Sequence, residues 1–72
     1  MSRIDQAMEL LVEYAGPMGK FVLKKQLKDL NKNEENITNP ELLEVLTRVV
    51  PDAIFDPEMQ RRALREFKDM LN

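Results

Sequence analysis

The sequence predicts an all-α fold, a compact four-helix domain that takes in residues 1–72 as a single unit. Three observations carry this expectation. Apolar residues recur at intervals of three and four in four stretches, the spacing of one helical face. No stretch shows the strict alternation of a half-buried strand. The four prolines, Pro17, Pro40, Pro51 and Pro57, all fall at the edges of those stretches.

The first helix is predicted over 2–15. Ser2 is suited to cap it, and Asp5 stands three residues on in the place of a capping-box acid. Ile4, Ala7, Met8, Leu11 and Ala15 share one face, which Leu10 and Tyr14 widen. Gly16-Pro17 breaks the helix, because glycine suits a left-handed residue after a helix and proline suits the first turn of the next. The second helix is predicted over 17–32. Met18, Phe21 and Val22 form one apolar row, Leu23, Leu27 and Leu30 a neighbouring one, and Lys20, Lys24 and Lys28 a third side.

Residues 31–39 read as a polar loop in which only Ile37 is apolar, a plug for the core. The third helix is predicted over 39–50, capped either by Thr38 with Glu41 or by Asn39 ahead of Pro40. Leu42, Leu43, Val45, Leu46, Val49 and Val50 make it apolar on most of its circumference, which places it centrally. Pro51 is expected to end it, and Ala53, Ile54 and Phe55 form a short apolar link. Asp56-Pro57 opens the fourth helix, 56–71. It turns Met59, Ala63, Leu64, Phe67 and Leu71 inward and Arg61, Arg62, Arg65, Lys68 and Asp69 largely outward. Two antiparallel helix pairs joined by the polar loop are the simplest arrangement.

Composition narrows function by what is missing. Cysteine and histidine are both absent. That removes disulfides, thiolate metal sites, the commonest general base and the commonest transition-metal ligand. The net charge of −2 lacks the basic excess of a dedicated nucleic-acid binder. No apolar run approaches the roughly 20 residues of a membrane helix, and residues 1–5 lack the pattern of a signal peptide. The cytoplasm is the expected location. A chain this short buries only about 60% of its unfolded surface, so tight helix packing or self-association must supplement the core.

Candidate chemistry fails on its strictest requirements. Asp29, Asn31 and Asn33 match the first three ligand positions of a calcium loop. The glycine such a loop needs for its turn is replaced by Glu34, and its bidentate glutamate by Pro40. Asn36-Ile37-Thr38 has the form of a glycosylation sequon, but no secretory signal accompanies it. Ser2, Thr38 and Thr47 have no histidine to activate them, and the acid pairs Glu9–Glu13 and Glu41–Glu44 have the spacing of solvated faces. No enzyme activity, catalytic residue, cofactor, metal or small-molecule substrate is expected.

Two binding surfaces remain. Pro17, Met18, Phe21 and Phe55 form the candidate interaction surface, because the chain holds more apolar positions than a short bundle readily hides. The expected function is a non-enzymatic protein-interaction or regulatory module whose partner is another protein or a second copy in a homodimer. The alternative is a nucleic-acid accessory protein using Lys24, Lys28, Arg61 and Arg65, provided the second and fourth helices are neighbours. Asp5, Glu9 and Glu13 make the first helix acidic, and the helix after the loop is too apolar for a recognition helix.

One longer pattern unites these elements. Leu10, Leu11, Tyr14, Gly16, Pro17, Met18 and Val22 are followed by Leu42, Leu46, Pro51, Arg62 and Phe67. Together, and most specifically in Tyr14-x-Gly16-Pro17, they resemble a small helical module of bacterial signalling proteins. That module is appended to the C-terminus of Ser/Thr kinases, nucleotide cyclases and roadblock-like proteins. The resemblance runs from Met8 to Leu71 and implies a regulatory or adaptor domain, with no catalytic residue.

Overall fold

The computed structural model describes residues 2–72. They form four helices: α1 (Arg3–Ala15), α2 (Met18–Asp29), α3 (Asn39–Ala53) and α4 (Pro57–Leu71). No strand occurs among the described residues.

The helix ends follow from local chemistry. Ser2 is extended, and its hydroxyl accepts the Asp5 N–H at 3.0 Å. Gly16 closes α1 at φ 75°, its own N–H reaching the Val12 carbonyl at 2.8 Å. Pro17 already has helical angles and leads into α2. Before α3, the Thr38 hydroxyl accepts the Glu41 N–H and the Glu41 carboxylate accepts the Thr38 N–H, a complete capping box. The Asp56 carboxylate caps α4 by accepting the Glu58 N–H at 2.8 Å. A Thr38→Ala variant is expected to lose about 1 kcal/mol and about 4–8 °C of melting temperature. Thermal denaturation followed by circular dichroism checks this, and an unchanged midpoint would show that the cap is dispensable.

Two expected boundaries move. α2 stops at Asp29 and does not reach Lys32. Asn31 takes a left-handed φ of 54°, its N–H bonds to the Lys28 carbonyl, and the Lys32 N–H bonds to the Leu27 carbonyl. This is a Schellman termination with asparagine in the place usually held by glycine. Leu30 is thereby left outside the helix and exposed. Conversely, α3 runs through Pro51 to Ala53. Proline in the final turn removes only the bond to the Thr47 carbonyl. The turn persists because Ile54 beyond it is buried and donates to the Val50 carbonyl at 2.8 Å.

The core takes residues from every helix. α3 contributes five buried side chains, the most of any helix, as its all-round apolarity predicts. Ile37 is buried and plugs the core from the loop. Met59, expected inward, is 37% exposed. It lies in the first turn of α4, where the helix projects beyond the core that Ala63 and Phe67 fill. The helices stand in a ring, α1 against α2, α2 against α3, α3 against α4 and α4 against α1. α1 and α3 touch across one diagonal, whereas α2 and α4 do not pack together. The principal dimensions are 31 × 24 × 20 Å.

Candidate interaction surface

Antiparallel packing gives the bundle two ends of opposite character. One end gathers the start of α1, the polar loop, the start of α3 and the end of α4. Arg3 is its hub. The guanidinium donates to the Glu34 carboxylate at 2.9 Å, to the Glu34 and Ile37 carbonyls at 2.8 and 2.9 Å, and to the Asn39 side-chain oxygen at 2.5 Å. Glu34 also accepts the backbone N–H groups of Arg3 and Ile4, so it caps α1 from 31 residues away. Asn39 in turn donates to the Leu71 carbonyl at the end of α4. Asn33 and Asn36 hold the loop through side-chain bonds to its own backbone. The polar loop is therefore an intramolecular clamp, and Glu34 is its acceptor.

Protonation bears on this end. Burial alone would push Glu34 up, but the hydrogen bonds from the Arg3 side chain and from the Arg3 and Ile4 backbone, with the guanidinium charge, hold it below its ordinary 4.5. Glu41 is also held low, first by the Thr38 N–H and then by Lys32, whose ammonium lies 3.1 Å away. A carboxylate whose folded pKa is depressed contributes stability above its unfolded pKa and loses it as pH falls through the folded value. Thermal stability is thus expected to hold above pH 4.5 and to decline below it. Glu34→Gln should flatten that decline in a series of melts from neutral to acid pH. An equally steep fall in the variant would remove Glu34 from the account.

The other end gathers the α1–α2 turn, the end of α3, the α3–α4 link and the start of α4. The sequence-predicted surface lies here. Met18 is 69% exposed, Phe21 56% and Phe55 86%, and Pro17 is exposed with them. Lys20 places its ammonium 5.5 Å from the centre of the Phe21 ring. Met59 joins the same end, with Pro51 and Pro57 exposed nearby in the chain. Among the described residues, four of the five exposed large apolar side chains are therefore at one end, Leu30 being the exception. Between α1 and α4, Tyr14 donates its hydroxyl to the Glu66 carboxylate at 2.5 Å. That bond first, then burial and the Glu66 charge, raise the phenol's pKa.

The alternative basic patch is not assembled. Lys24 and Lys28 lie on α2, Arg61 and Arg65 on α4, and these helices occupy opposite corners of the ring. Arg61 is drawn to Glu58 at 3.3 Å. Sequence reasoning offered no order for the helices around the core, and that order separates the two basic rows. It also missed Arg3, Glu34 and Met59. Glu34 had a weak signal, as an acid occupying a glycine position in a loop.

Grooves of about 310–440 Å³ run along the surface, the smallest floored by Leu30, Ile37 and Val45 and rimmed by Lys32, Glu41, Glu44 and Arg48. Among the described residues no three Asp or Glu side chains cluster as metal ligands, and no helix is long and apolar enough to cross a membrane.

Fold and surface together define a small four-helix domain with one hydrogen-bonded end and one apolar end. The chain belongs to the DUF8082 family, described as a domain of unknown function, which it matches over residues 2–71. No curated protein matches the chain, and no solved structure does.

Proposed function

We propose that this domain is a non-enzymatic protein-interaction module, cytoplasmic and regulatory, that binds through the end formed by Pro17, Met18, Phe21 and Phe55. The observation that carries the reading is the gathering of Met18, Phe21, Phe55 and Met59, exposed large apolar side chains, at that end, Phe55 above all. A side chain as apolar as Phe55 gains nothing from water, and exposed large apolar side chains gathered at one end of a small protein mark a contact surface. The likeness to helical modules of bacterial kinases and cyclases supports a place in signalling proteins. The first residues of α1 and the last of α4 lie together at the opposite end, through Arg3, Asn39 and Leu71. An attachment there leaves the apolar end free.

The test is cross-linking in the native cell with the full chain as bait, compared with its Phe21→Ser/Phe55→Ser double variant. Both positions are solvent-facing, so the fold is expected to survive, as circular dichroism would show. Loss of the cross-linked partner from the variant supports the surface; an unchanged set of cross-links overturns it.

A further inference from the structure

The side of the bundle formed by α1 and α2 carries two rows of charge of opposite sign. Asp5, Glu9 and Glu13 repeat every four residues on α1, and Lys20, Lys24 and Lys28 repeat every four on α2. Residues four apart share one side of a helix, about 6 Å from one to the next along its axis. The rows meet at a surface groove of about 440 Å³ lined by Met8, Glu9, Val12, Glu13 and Lys20. A short turn joins these antiparallel helices, so the rows run level, Glu13 across from Lys20, Glu9 from Lys24 and Asp5 from Lys28. Among the described residues none of the six takes part in an ion pair, whereas Arg3, Lys25, Lys32, Arg48 and Arg61 all do. The one base of α1, Arg3, is turned to Glu34, and the one acid of α2, Asp29, is paired with Lys25, so neither row is diluted.

We infer that this side is the contact between two copies of the chain, packed α1–α2 on α1–α2 about a two-fold axis parallel to the helices. That axis lays each α1 antiparallel on the α2 of the other copy, with no shift in level. Glu9 of one copy then meets Lys24 of the other, Asp5 meets Lys28 and Glu13 meets Lys20, each twice over, as an isologous interface requires. A two-fold axis running across the helices would set α1 on α1 and α2 on α2, and so place like charges together. Charge therefore selects one arrangement. Met8 and Val12, both half-buried, supply an apolar strip between the rows. Helices of 13 and 12 residues side by side make a face of roughly 20 × 20 Å, which with side-chain relief gives roughly 800–1,200 Å² over both copies. That is the lower edge of a specific interface, so the dimer is weak and reversible. Each exposed ion pair adds little alone, but six in register give the contact its direction and its sensitivity to salt.

Sedimentation equilibrium of the whole chain at low salt is expected to show a monomer–dimer equilibrium, weakened at roughly 1 M salt, where the screening length falls to about 3 Å. Glu9→Lys and Lys24→Glu should each weaken it by about tenfold or more, since each sets two like-charged pairs across the axis. A one-to-one mixture of the two variants should recover the association of the parent chain, because every seat of the mixed dimer again holds one acid and one base. Ion pairing within a single chain gives no such recovery. Lys68→Glu, at an exposed position on α4, carries the same net charge as Lys24→Glu and should leave the dimer unchanged. Circular dichroism checks that all three variants keep the fold. A parent chain that stays monomeric at low salt, a mixture no tighter than its components, or a Lys68→Glu variant as weak as Lys24→Glu overturns the arrangement. The contact lies away from the apolar end, so its failure leaves the proposed function standing.

Discussion

Replacing Gly19 with valine is expected to destabilise the domain by about 3 kcal/mol and to lower its melting temperature by about 12–24 °C. Gly19 is buried in the first turns of α2, where α2 lies against α1. A Cβ added there would stand 2.8 Å from the Leu11 carbonyl oxygen and 3.0 Å from its carbonyl carbon and Cβ. Two of those atoms are backbone in the middle of α1, so no side-chain rotation relieves the clash. The helices must separate, and the fully buried Leu11 and Leu23 lose contact when they do. Alanine would regain about 1 kcal/mol of helix propensity and so net a smaller loss; valine adds two methyl groups and a β-branch. Against a total stability of roughly 4–11 kcal/mol for a chain of this length, the valine effect is large. Thermal melts of both variants give the measurement, and a valine variant as stable as the parent would show that the two helices do not approach so closely.

Arg3→Ala is the second large effect, expected to cost about 2–3 kcal/mol. The substitution removes four side-chain hydrogen bonds at once and leaves the part-buried carbonyls of Glu34 and Ile37 without their donor. The Arg3 side chain is 31% exposed, which keeps the ion pair from being fully screened. The loss should be shared across four elements, because the hub joins α1, the loop and α3 while Asn39 reaches α4. Denaturant unfolding of Arg3→Ala, Glu34→Ala and the double variant checks this. A coupling of about 1 kcal/mol or more between the two sites is expected. Strict additivity would mean that the two residues act separately. The surface ion pairs Lys25–Asp29 and Arg48–Glu44, spaced one turn apart and well exposed, should by contrast contribute little.

Much of the candidate surface was legible in the sequence, and for a specific reason. Pro17 and Met18 follow a glycine–proline break, and Phe55 falls in a short link between two helix signals. Such positions sit at the ends of helices, where a core has little depth to cover a ring. Met59 was misplaced because periodicity reports the direction of a side chain around a helix axis and says nothing of how far along the axis the core extends. The basic rows on α2 and α4 were each correctly read as outward, and only their juxtaposition failed.

The sequence by itself determined what is local. Ser2, Gly16, Thr38 with Glu41, and Asp56 with Pro57 set the helix ends, since each bond spans four residues or fewer. Apolar spacing chose the buried faces, and the absence of cysteine and histidine removed whole classes of chemistry whatever the fold. The tertiary structure alone decided three things. It passed α3 through Pro51 because Ile54 is buried beyond it. It matched Arg3 to Glu34 and Gly19 to Leu11, contacts with no mark in any short window of sequence. It fixed the order of helices around the core, which separates the basic rows and gathers the apolar side chains at one end. Packing of whole helices makes these choices, and their energies depend on partners that meet only once the chain is folded.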